Sequence, residues 1–118
     1  MPSLYIGDGR YDPADALTVK YTPISISASG NNTIVAGVTN KKIRIISYQL
    51  VCAEAVTVKF QSGASGTDLS GAMSFGANGG ISTPESIKGH FETLSGALLN
   101  IVLSSGVAVA GHLTYVEI

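Results

Sequence analysis

The stretch Val56-Thr57-Val58-Lys59-Phe60-Gln61 alternates apolar and polar side chains without a break. Successive side chains of an extended backbone point to opposite faces, so this reads as a strand with Val56, Val58 and Phe60 inward and Thr57, Lys59 and Gln61 on a polar solvent face. Upstream, residues 42–53 form the longest apolar run. Its inward set is Ile43 and Ile45, then Ile46, Tyr48, Leu50 and Cys52. The phase flips between Ile45 and Ile46, which predicts a bulge or a strand buried on both faces. Downstream, Leu99, Ile101 and Leu103 share one face of a strand over residues 97–104, and a last strand is expected over residues 107–118.

Towards the N-terminus, Ile24 and Ile26 alternate with Ser25 and Ser27, and Gly30-Asn31-Asn32 reads as the turn that ends this strand, with a short second strand over residues 33–38. Residues 61–82 are rich in Gly, Ser and Ala. Brief strands are expected at 72–75 and 80–82, in a segment that is otherwise flexible or held by a partner. A further strand is expected within residues 87–93. No stretch keeps a helical apolar spacing for three turns, so the body, residues 21–118, is all-β, with about eight strands in a sandwich or barrel. Residues 1–20 have no sustained period and read as an irregular arm.

The chain has 118 residues with a formal net charge of -1, from 7 Lys and Arg against 8 Asp and Glu. That balance argues against a nucleic-acid partner, which requires a dense positive patch. Only 13% of residues are charged while 45% are hydrophobic, too little charge to coat a lone small domain, so part of the surface is expected to meet another protein. No apolar run is long enough for a membrane helix and the first residues do not read as a signal peptide, so no membrane partner and assembly in the cytosol are expected.

The candidate chemistry is sparse. Cys52 is the only thiol and sits among Leu50, Val51 and Ala53, the setting of a small buried hydrophobe. His90 and His112 each follow a glycine, and a metal would need a third ligand, so no metal is expected. Asp8, Asp12 and Asp15 lack the spacing of a calcium loop. No Gly-x-Ser-x-Gly elbow or phosphate loop is present, and the scattered glutamates with no Trp do not suit glycoside hydrolysis. No catalytic residue and no cofactor are expected.

Between residues 42 and 116 the order of phrases carries a resemblance: Lys42-Ile43-Arg44-Ile45, Val58-Lys59-Phe60-Gln61-Ser62-Gly63, Thr67-Asp68-Leu69-Ser70-Gly71, Ala77-Asn78-Gly79-Gly80, Gly89-His90-Phe91 and Gly111-His112-Leu113-Thr114-Tyr115-Val116. This resembles the small jelly-roll proteins that tailed bacteriophages encode beside their head genes, including capsid decoration, or cement, proteins. The resemblance covers about two thirds of the chain and implies a jelly-roll-like β-sandwich, a place on the capsid exterior of the virion, the major capsid protein as partner and a homotrimer of the chain itself. The uncharged polar strand faces at Ser25, Ser27, Thr57 and Gln61 suit such a self-contact. Leu4, Tyr5, Ile6 and Tyr11 in the arm are the expected capsid-docking anchors. A head-fibre or tail-associated adhesin on the same sandwich would instead present residues 61–82 to a host surface ligand, and a small cupin-like enzyme is a third class.

Overall fold

The structure, a computed structural model, describes residues 18–118; the arm anchors Leu4, Tyr5, Ile6 and Tyr11 lie outside the described residues. Ten strands follow one another: β1 (Lys20–Ile26), β2 (Gly30–Val35), β3 (Ile43–Cys52), β4 (Val56–Ser62), β5 (Thr67–Asp68), β6 (Met73–Phe75), β7 (Gly80–Ser82), β8 (Phe91–Glu92), β9 (Leu99–Leu103) and β10 (Val109–Glu117). They form two antiparallel sheets. The first runs β1-β10-β3-β7, with β8 also on β3; the second runs β2-β9-β4-β5, with β6 also on β4.

Two short strands share one position twice, β5 with β6 along β4 and β7 with β8 along β3, which leaves eight strand positions. The first position then pairs with the eighth, the second with the seventh, the third with the sixth and the fourth with the fifth. One long antiparallel ribbon rolled into two facing sheets gives this pairing, and it is the connectivity of a jelly roll.

The alternation read in the sequence builds the core. Val56, Val58 and Phe60 of β4, with Leu99, Ile101 and Leu103 of β9, face Ile24, Ile43, Ile45, Tyr48, Leu50, Val109 and Leu113 of the other sheet. Phe60 has no exposed surface, and its ring lies 4.9 Å from that of Tyr48 and 5.0 Å from that of Phe91, bridging the sheets where aromatic edges meet faces favourably. The phase flip is a bulge: the β10 to β3 register shifts between Thr114 and Tyr115, leaving Ile46 without an opposite residue. Both faces are covered there, since Ile46 and Val116 are buried outside the main core cluster.

Several expectations are corrected. The first turn falls at residues 27–29, and Gly30-Asn31-Asn32 belongs to β2; Asn32 donates from Nδ2 to the Ala28 carbonyl, so the asparagine braces the turn from within the strand. The Gly-rich segment carries the two brief strands expected in it, as β6 and β7, but it is held by its own domain, because Leu69, Met73, Phe75 and Ile81 pack on the core. Residues 87–93 contain only the two-residue β8. Gln61 points outward as expected, yet it is buried.

Candidate functional site

The pairings of the first sheet set out its outer face in rows. Ser25, Ala110, Val51 and Gly80 lie side by side; next come Pro23, His112, Gln49 and Ser82; then Tyr21, Thr114 and Ser47. None of these residues is Lys, Arg, Asp or Glu. Tyr21 is 80% exposed and Val51 53%, large apolar side chains that a lone domain would rather bury. Ser47 and Thr114 satisfy each other through a hydroxyl contact of 2.5 Å. The charge of this face is confined to a fourth row, where Val116 neighbours Arg44 and Glu92 and Arg44 Nε donates to Glu92 Oε2 at 2.6 Å.

A shallow hollow of about 320 Å³ opens on this face, lined by Gln49, Leu50, Val51, Gly80, Ile81 and Ser82. Glycine makes it possible. A Cβ on Gly80 would stand 2.2 Å from the Leu50 carbonyl oxygen, and one on Gly111, on the other side of β3, would stand 2.0 Å from that of Gln49. Both neighbours of β3 thus approach closely at the same place, and the floor is backbone and small side chains. Such a floor brings no ionisable groups together.

The outer face of the second sheet is built differently. Asn100, with no exposed surface, accepts from the Asn32 backbone N–H at 2.8 Å and donates to Asn31 Oδ1 and Gln61 Oε1. Gln61 donates onward to Asp68 Oδ1 at 2.9 Å, and Lys59 Nζ lies 3.2 Å from the same oxygen. The Gln61 amide, with Lys59 second, holds the Asp68 carboxyl below its ordinary range. Every group in the chain of contacts has a partner, as buried amides require.

The expected site residues do not converge. His90 donates from Nε2 to the Pro84 carbonyl at 2.8 Å and stands edge-on to Tyr48, whereas His112 lies exposed in the second row of the first sheet's outer face. Among the described residues no group of three or more His, Cys, Asp or Glu is placed to hold a metal ion. Cys52 is fully buried, and that burial pushes its thiol up, away from the reactive thiolate. Ser25 lies on one sheet's outer face, Thr57 and Gln61 on the other's and Ser27 in a turn, so these four residues do not form one surface. The uncharged rows themselves could not be read from sequence, because they gather residues from four strands distant along the chain. Among the described residues no helix is long and apolar enough to cross a membrane.

No family model matches the chain, and no curated protein does. Among solved structures, the chain is similar to a chain in the structure of infectious bursal disease virus Gx strain, at 12% identity and a TM-score of 0.39, over 98% of this chain and 36% of that one. It is also similar to a chain in the crystal structure of the IBDV viral particle, at 13% identity and a TM-score of 0.32, over 98% of this chain and 35% of that one. The chain spans about a third of the length of each.

Proposed function

We propose that this chain is a structural protein of a virus particle, a decoration protein of the tailed-bacteriophage kind that sits on the capsid exterior and ties shell subunits together. The observation that carries the reading is the uncharged outer face of the first sheet, with Tyr21 and Val51 exposed on it. The phrases between residues 42 and 116 that resemble such proteins lend it support, as does the jelly-roll connectivity, which by itself is compatible with many functions.

The mechanism is added buried area. A face without ions meets a neutral protein surface with no charge to desolvate, and contributes about 25 cal/mol per Å² of apolar area removed from water. Four strands about 4.8 Å apart, crossed by three rows of outward residues about 6.6 Å apart, make a face of at most roughly 400 Å². A stable interface takes about 800 Å² from each partner, so one copy holds weakly. A homotrimer seated over a point where shell subunits meet gains what the single face lacks, because every contact after the first is intramolecular.

Thermal release of DNA from particles tests this. Particles lacking the protein assemble but lose their DNA at lower temperature, and added purified protein restores resistance at about one trimer per local threefold position. Unchanged head stability together with lost adsorption to cells would support the tail-associated adhesin instead.

A further inference from the structure

The two ends of the sandwich differ. One end gathers the turn at residues 27–29 and the loops at 53–55, 76–79 and 104–108, joined by backbone bonds from Ala53 to Ala108 and from Asn78 to Cys52. Their residues are small, and Glu54 is their only charge. The other end is where β1 begins and β10 finishes. There Lys42 and Ile118 exchange backbone hydrogen bonds at 2.8 and 2.9 Å, the Gly96 N–H donates to the Lys41 carbonyl and the Thr93 N–H to that of Ile43.

At and beside this second end lie Lys20, Lys41, Lys42, Arg44 and Lys88 against Glu85, Glu92 and Glu117, a net of +2. Lys20 with Glu117 and Arg44 with Glu92 are ion pairs, so the excess falls on Lys41, Lys42 and Lys88. Of the six exposed large apolar side chains among the described residues, Val19, Val38, Ile87 and Leu94 belong to this end, whereas Tyr21 and Val51 lie on the uncharged outer face. Cationic and apolar groups are therefore mixed on one surface.

The segment preceding the described residues has the opposite character. Residues 1–17 carry Asp8, Asp12 and Asp15 against Arg10, a net of -2, together with Leu4, Tyr5, Ile6 and Tyr11. It joins the domain at this same end, since Lys20 of β1 is bonded to Glu117, beside Ile118. Five residues from Asp15 to Lys20 span at most about 17 Å, so the chain length lets Asp15 reach this end.

We infer that the cationic, apolar end formed by residues 36–42, 85–88 and 93–96 is the docking surface of the chain's own N-terminal segment, residues 4–15. The complementary groups are Lys41, Lys42 and Lys88 with Val38, Ile87 and Leu94 on the surface, and Asp8, Asp12 and Asp15 with Leu4, Tyr5, Ile6 and Tyr11 in the segment. The inference stands apart from the virion reading, because it concerns the free protein.

Photo-crosslinking on the full chain tests it, with p-benzoylphenylalanine replacing Tyr11 and, separately, Tyr5. Crosslinks should map to residues 36–42, 85–88 and 93–96, with a yield that falls several-fold between about 50 and about 500 mM salt. Lys41→Glu with Lys42→Glu should lower the yield about tenfold, near 1.4 kcal/mol, and Asp12→Lys with Asp15→Lys in that background should restore it. Crosslinks to Val51, Tyr21 or the small-residue loops, or a yield indifferent to the charge reversal, overturn the inference. No crosslink to the chain itself, with crosslinks to the shell protein once purified particles are added, would overturn it too, by assigning the segment to the capsid.

Discussion

The two outer faces of this sandwich are made by the same alternation and do opposite things. On the second sheet, Asn31, Asn100, Gln61, Asp68 and Lys59 bind one another into a continuous chain of contacts. On the first, the rows from Tyr21 to Ser82 carry no ions, and their polar groups are short hydroxyls, single amides and one imidazole. A polar group already paired within the molecule gains little by meeting a partner, whereas an exposed neutral surface gains by leaving water. The outward position of a strand residue therefore does not make it a contact residue. What its neighbours across the sheet already satisfy decides that.

The largest effect expected comes from the glycine that lets the first sheet close. Gly111→Ala drives a methyl group into the Gln49 carbonyl, and because the clash is with backbone, the strands must part, at a cost of about 3 kcal/mol. Chemical denaturation should show it as a lower midpoint; an unchanged midpoint would mean that the close approach beside β3 is not required. Next is Asn100→Ala on the second sheet. It strips a buried amide from Asn32, Asn31 and Gln61 and should cost about 2 kcal/mol, while leaving attachment to particles intact.

Val51→Asp on the first sheet should invert that result. Val51 is half exposed, so stability should move by no more than about 0.5 kcal/mol. Attachment to particles should nevertheless weaken at least about tenfold, because a charge must be desolvated in the contact. If Val51→Asp attaches normally and Asn100→Ala does not, the assignment of the two faces is reversed.

Titration gives the smallest effect. Asp68 has a depressed folded pKa, so its contribution is present above the ordinary carboxylate value of about 3.9 and is lost as the pH falls through the folded value. Lys20, raised by the hydrogen bond to Glu117, contributes below its ordinary value of about 10.4 and loses that contribution as the pH rises through the raised one. Both side chains are well exposed, and the melting temperature should be nearly flat between these limits. Asp68→Asn should remove the acid-side share alone.

What was legible in the sequence follows from what alternation encodes. Val56 to Phe60 and Leu99 to Leu103 show their buried faces directly, and the flip at Ile45 and Ile46 signals either a bulge or burial on both faces, of which the structure shows both. The fate of outward polar residues was not legible. Gln61 and Asn100 look like solvent-facing side chains along their own strands, and only the pairing of β4 with β9 brings them together. The Gly-rich segment was legible in part: the brief strands expected at 72–75 and 80–82 are β6 and β7, but strands of three residues are too short to show which side chains they bury, and Met73, Phe75 and Ile81 are held by long-range contacts. Residues 27–30 combine several turn formers, so the turn was foreseen and its position slipped by a few residues.

Electron microscopy of the particle, with and without this protein, tests the central claim most directly. The account predicts added density on the outside of the head, at positions where shell subunits meet, with the uncharged face of the first sheet turned towards the shell. Density confined to the tail, or head density with that face turned to solvent, would contradict it.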